Sequence, residues 1–203
     1  MTIAANMATG PVIMLQSGAW FDLLAPGSSS FTIEDIAHGL AHTCRYAGQC
    51  RDFYSVAEHS LHVSNVCEEG KLEALLHDAA EAFIGDVTRP LKQLLPEYKR
   101  IEKAVERAVI ERFGLTMPAP ADIKEADLRV LAAEQAQIMA PSTSEWARTS
   151  RIYPAPIRVE FMPPRVAKKA FLRRYSELAA ERKLRPAQPR QTELQLIAAA
   201  QAV

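Results

Sequence analysis

Six stretches of this chain carry the marks of helices, and in most of them apolar residues recur every three or four positions. That spacing constrains the fold more than any other feature. "VAEHSLHVSNVC" sets Val56, Val63 and Val66 on one face. "KLEALLHDAAEAF" does the same with Leu72, Leu75, Leu76, Ala79 and Phe83. "EYKRIEKAVERAVIERF" has a stripe of Ile101, Val105, Ala108 and Val109, with Gly114 placed to cap its end. "DIKEADLRVLAAEQAQIM" repeats the pattern with Ile123, Val130, Leu131 and Ile138. Ahead of these, "IEDIAHGLAHTC" follows Thr32, whose distance from Asp35 fits an N-cap with an acidic third residue. Last, "PPRVAKKAFLRRYSELAAERK" follows a Pro-rich, extended stretch from Ser150 to Pro164. Strand signals are sparse. "PVIMLQ", Ser17-Gly18 and "AWFDLL" can form one small β-hairpin. The expected class is all-α.

The 203 residues suffice for a single domain with a substantial core. We expect that domain over residues 1–185, opening on a loose leader, "MTIAANMATG", with 186–203 as a weakly anchored tail. Lys plus Arg and Asp plus Glu are 24 each, so no overall basic field draws the chain to a nucleic-acid polymer or an anionic membrane. No apolar run reaches membrane-spanning length, and the N-terminus lacks the pattern of a signal peptide. Cys44, Cys50 and Cys67 are odd in number and show no C-x-x-C spacing. A disulfide framework and a thiolate zinc site are disfavoured, and a reducing cytoplasm is expected.

"LLHDAAEAFIGD" raises the functional question. Burying a Leu and Phe face does not require His77, Asp78, Glu81 and Asp86 in the same stretch. On a continuous helix, His77, Asp78 and Glu81 fall within a quarter-turn opposite the apolar face. Taken alone, this is more plainly read as a polar face with an incidental His-Asp pair. His59 lies among the valines of its helix, where a hydrogen-bonded core histidine is the plainer reading. Asp127 lies in the stripe of Ile123 and Val130, where a carboxylate needs a partner or a cation. Glu134, Lys124 or an Arg could be that partner. Together, His59, His77, Asp78 and Asp127 make four nitrogen and oxygen donors suited to a divalent metal. His38 and His42, four apart, also have metal-binding spacing but lack carboxylates in the right places. Trp20 and Trp146 read as packing residues. No phosphate-cradling Gly-rich motif occurs.

The order His59, His77-Asp78, Asp127, with the phrases "CRYAGQCRDFYSVAEHS", "LLHDAAEAFIGDVTRPLK" and "KEADLRVLA", resembles the HD-domain metal-dependent phosphohydrolases. The likeness is to the bacterial and phage subgroup containing 5′-deoxynucleotidases, and runs from about Ile33 to Asp127. It implies a helical bundle in which those four residues bind one divalent ion per subunit: Mn²⁺, Co²⁺, Fe²⁺ or Ni²⁺, or else Mg²⁺. It implies Glu81 as the acidic catalytic group and Arg45 as a lining residue. Tyr46 stands where the deoxynucleotidases have Trp. Asp86 matches a sugar contact, while Lys92 and Lys124 match cationic positions near phosphates. Gln49 replaces a frequent His, which disfavours a second metal. The implied activity is conversion of deoxynucleoside monophosphates to deoxynucleoside and phosphate, by a homodimer. The alternatives are a dNTP triphosphohydrolase and a non-catalytic metal- and nucleotide-binding module.

Overall fold

The computed structural model describes residues 10–117 and 119–184. The leader up to residue 9 and the proposed tail lie outside them. The described chain is mostly helical, as expected. Strands β1 (Val12–Met14) and β2 (Trp20–Asp22) form the hairpin, antiparallel, with Val12 opposite Asp22 and Met14 opposite Trp20. A single 3₁₀ turn at Pro26–Ser28 leads to α1 (Ile33–His42).

Thr32 and Asp35 make the anticipated capping box, and Asp35 also accepts the Ser17 N–H at 3.1 Å, tying the hairpin turn to α1. A second 3₁₀ turn at Tyr46–Gly48 precedes α2 (Val56–Val66). Then come α3 (Lys71–Leu75), α4 (Glu81–Ile84), α5 (Arg89–Lys92) and α6 (Pro96–Phe113). Gly114, at φ 57°, ends α6 in the left-handed cap anticipated for it. The remainder is α7 (Ala121–Ile138), α8 (Glu145–Thr149) and α9 (Pro164–Leu184).

The predicted stripes are the buried ones. Val105, Ala108 and Val109 of α6 join Phe171 and Leu178 of α9, Leu40 of α1 and Leu75 of α3 in the main core. Phe21 stacks on Phe83 at 4.0 Å between ring centroids, and Phe31 meets both edge-on, so the hairpin seals one end. A smaller cluster joins Val63 of α2 to Ile123, Ala126 and Val130 of α7. Leu131, expected in the α7 stripe, is half-buried beside it.

From Arg151 to Pro163 the chain runs without regular structure, as the Pro-rich sequence suggested. Glu58, fully buried on α2, fastens that segment by accepting the N–H groups of Glu160 (2.6 Å) and Met162 (2.7 Å). The short helices α5 and α8 were not anticipated. Two turns or fewer leave no period to read.

One expectation is corrected. The helix expected across residues 71–83 breaks between Leu75 and Glu81, where the backbone proceeds by turns. Leu76 N–H bonds to the Leu72 and Glu73 carbonyls, but Ala79, Ala82 and Phe83 bond three residues back rather than four. His77 Nδ1 lies 2.8 Å from the Ala74 carbonyl, which a continuous helix would have given to Asp78 N–H. The apolar residues still reach the core, because Leu76, Ala79 and Phe83 are all buried. Their spacing alone therefore gave no warning of the break.

Candidate metal centre

On a continuous helix, adjacent side chains diverge by about 100°. The break at residues 76–80 lets His77 Nε2 and Asp78 Oδ2 approach to 3.1 Å instead. His59, from the middle of α2, brings its Nε2 to 3.3 Å from His77 Nε2 and 3.5 Å from Asp78 Oδ2. These three residues each offer one donor atom, all within 4.8 Å of one another. Asp127, from α7, adds an oxygen 3.2 Å from His59 Nε2 and 3.9 Å from His77 Nε2. Its side chain is 35% exposed, so it stands at the open side of the cluster while His59 is sealed.

The hydrogen bonds indicate which ring nitrogens are free. His59 Nδ1 lies 2.6 Å from Glu134 Oε1, which can only accept when ionised, so Nδ1 carries the proton and donates. His77 Nδ1 likewise donates to the Ala74 carbonyl. Both Nε2 atoms therefore present lone pairs to each other across 3.3 Å, with two carboxylate oxygens alongside. Something positive belongs between them.

In the metal-free chain a proton serves. Burial disfavours a charged His77, yet the neighbouring Asp78 outweighs burial and pushes its pKa up to about 9. A divalent ion would serve as well. Nitrogen and oxygen ligands about 2.1 Å from such an ion lie about 3.0–3.4 Å from one another, close to the separations found. The residues fit a metal ion.

Behind this cluster, Glu134 of α7 is fully buried and accepts three hydrogen bonds. These come from Tyr54 Oη (2.6 Å), His59 Nδ1 (2.6 Å) and Tyr46 Oη (2.7 Å). Burial opposes its charge, but Arg45 and His59 overcome this and hold the carboxyl well below the usual range. The sequence raised Glu134 as a possible partner for Asp127. It is instead the partner of His59, and Asp127 is paired with the two imidazoles. The available signal was a carboxylate two turns beyond Asp127, preceded by Ala132 and Ala133, with nothing beside it to ionise against.

Glu81 begins α4, one turn past the cluster, and is buried. Burial, and then the Asp78 and Asp86 charges, push its pKa up to about 9. Lys92 Nζ stands 3.5 Å from Oε1 and bonds to Glu102 at 2.6 Å. Among the described residues, no group hydrogen-bonds to the buried Glu81 Oε2. Gly39 of α1 governs this position. A Cβ there would lie 2.6 Å from the carbonyl oxygen of Ala82, so α1 and α4 can meet only at glycine.

Arg45 is buried, its NH1 group 3.7 Å from Asp78 and its Nε 3.4 Å from Glu134. Tyr46 gives its hydroxyl to Glu134, and its ring lies 5.3 Å from the Arg45 guanidinium. Asp86, half-exposed in the loop after α4, acts on Glu81 through its charge. Lys124 is exposed and lines a shallow groove with Arg129, Arg151 and Tyr153, and no described contact brings it to the cluster. His38 and His42 pair with each other at 4.2 Å between rings, and Gln49 is exposed. All three cysteines are free thiols. No described helix is long and apolar enough to cross a membrane.

Fold and site together define a mostly helical protein with a partly buried His-His-Asp grouping able to hold a metal ion. The chain belongs to the family of uncharacterized protein YfdR of Escherichia coli K12. It is 37% identical to that protein over 170 residues, which cover 82% of this chain and 95% of the relative. An uncharacterized protein of Rhodobacter capsulatus is 38% identical over 184 residues, covering 80% of this chain and 92% of that one. No protein-family model matches the chain.

Proposed function

We propose that this protein is an HD-domain-like, metal-dependent nucleotide phosphohydrolase, acting as a 5′-deoxynucleotidase that releases inorganic phosphate. The observation that carries this reading is the approach of His59 Nε2 and His77 Nε2 to 3.3 Å, with Asp78 and Asp127 oxygens beside them. Bound there, a divalent ion supplies charge against a phosphoryl oxygen and makes water a stronger acid.

The chain's own groups divide the remaining work. Asp78 and Asp127 hold charge that neutral imidazoles could not provide. Arg45 is fixed between Asp78 and Glu134, with a guanidinium able to meet two phosphate oxygens at once. In the metal-free chain burial holds a proton on Glu81 near neutral pH, and one turn past the cluster this acid would serve to pass a proton to a leaving oxygen. Lys92 stands 3.5 Å from Glu81 Oε1 and fixes that side of the carboxyl. Asp86 sits close enough to act on Glu81 and lies in the loop where a sugar hydroxyl could find an acceptor.

The experiment is a metal-by-nucleotide screen of the purified chain, with dAMP and dATP each tested against Mn²⁺, Co²⁺, Fe²⁺, Ni²⁺ and Mg²⁺. Phosphate released from dAMP is the expected product. Triphosphate released from dATP would reassign the substrate while keeping the centre. Nucleotide binding without turnover in every metal would make this a binding module and overturn the hydrolase reading.

A further inference from the structure

Glu134 touches two parts of the site that are distant in sequence. Through Oε1 it accepts from His59 Nδ1 and Tyr54 Oη, both at 2.6 Å. Through Oε2 it accepts from Tyr46 Oη at 2.7 Å, and Arg45 Nε lies 3.4 Å away as an ion pair lacking hydrogen-bond direction. One oxygen faces the metal-binding imidazole; the other faces the loop that carries Arg45.

That loop does not rest in an easy conformation. Tyr46 and Ala47 both have positive φ, 57° and 51°. Neither is glycine, so both are strained and persist only because surrounding contacts hold them. Beside its own turn bonds, Gly48 N–H to Arg45 O and Gln49 N–H to Tyr46 O, the loop is held by three further hydrogen bonds: Arg45 N–H to Tyr54 O, Arg51 N–H to Ile138 O, and the Tyr46 hydroxyl on Glu134. Two of these three run through residues that touch Glu134, because Tyr54 bonds to it as well.

We propose that Glu134 is a positioning residue that couples occupancy of the metal centre to the conformation of the Arg45–Tyr46 loop. A cation on His59 Nε2 fixes the ring and strengthens its Nδ1–H as a donor. Glu134 is thereby fixed, and with it the acceptor that keeps Tyr46 in its left-handed conformation and Arg45 facing the site. Coupling of this kind is reciprocal, so a loop that is already held also favours the occupied centre. This inference rests on the reading of the cluster as a metal centre.

Amide hydrogen exchange over residues 45–51, with and without Mn²⁺, reads the coupling without any assay of turnover. In the parent protein, Mn²⁺ should slow exchange there several-fold. Tyr46→Phe removes one hydroxyl and leaves every metal ligand intact. It should retain Mn²⁺ while the metal no longer slows exchange in the loop. Glu134→Gln should weaken Mn²⁺ binding about 10- to 100-fold, the usual cost of losing an outer partner of a ligand. If the parent binds Mn²⁺ and its loop exchange does not change, or if Tyr46→Phe responds like the parent, the coupling is overturned and the metal centre stands. If the parent binds no divalent ion at all, the metal-centre reading fails, and the coupling with it.

Discussion

In the metal-free chain, burial and neighbouring charge favour the neutral acid at Glu81 near neutral pH. Burial is the largest cause, and the carboxylates of Asp78 and Asp86 add to it, against the cations of Arg45 and Lys92. Glu81→Gln keeps the shape but cannot exchange a proton. We expect the variant to retain bound metal while turnover falls about a hundredfold, the ordinary scale of general acid–base catalysis. Metal content by elemental analysis and phosphate release measure the two separately. Loss of metal would make Glu81 a ligand, and unchanged turnover would remove it from the mechanism.

The same substitution has a consequence for stability, and its sign follows from linkage. An acid whose folded pKa is raised costs stability once the pH exceeds its unfolded value, and the cost grows until the folded value is reached. The metal-free Gln variant should therefore melt above the parent at pH 8, and the advantage should shrink towards pH 4. A variant crippled by misfolding would melt lower instead.

At the level of elements, two contacts outside the ligand set control where Glu81 and α1 lie. Gly39 lets α1 press against Ala82, the neighbour of Glu81. Gly39→Ala must displace α4, so it should cost about 1–3 kcal/mol of stability and lower kcat while leaving metal affinity close to that of the parent. Normal kcat with reduced stability would show that α4 absorbs the shift without moving Glu81. Asp35 caps α1 and holds the hairpin turn. Burial would raise its pKa, but the Ser17 and Thr32 donors outweigh burial and lower it. Its folded pKa is depressed, so its contribution is complete above the unfolded value near 3.8 and is lost as pH falls through the folded one. Asp35→Ala should lower Tm at pH 7, and the gap from the parent should close in acid. A gap of the same size at pH 2 would assign the effect to packing.

These elements also show what the sequence could and could not reveal. Thr32, Gly114 and the apolar stripes are local signals, and each gave its element correctly except the stripe of residues 71–83, whose helix is broken. The break at residues 76–80 depends on one imidazole taking the Ala74 carbonyl, a competition that periodicity does not register. Of the four donors of the cluster, His77 and Asp78 were legible as a polar arc opposite an apolar face, and His59 and Asp127 as polar groups on apolar faces. Glu134 was visible for the same reason, but its partner was not. Tyr46, Tyr54 and His59 are 75 or more residues away, and only the fold brings them to it.

Across the whole molecule, the centre joins α2, the broken segment before α4, and α7, which are separate in sequence; the first two share the main core, and α7 meets α2 through a small apolar cluster. An ion bound only by the folded arrangement must therefore stabilise all of it. At a hundredfold excess over Kd the gain is about 2.7 kcal/mol. For a chain of this size that is about 5–10 °C in Tm. The gain should depend on pH, because the proton on His77 occupies the ion's place. With the metal-free His77 pushed up to about 9, binding at pH 6–8 must expel that proton. Apparent affinity should then rise by about tenfold for each pH unit across that range. Thermal melts with Mn²⁺ at pH 6, 7 and 8, each repeated with excess chelator, measure both effects. A stabilisation that grows with pH and vanishes with chelator is expected. Equal shifts at all three pH values would remove His77 from the ligand set, leaving His59 and the carboxylates to hold the ion without it.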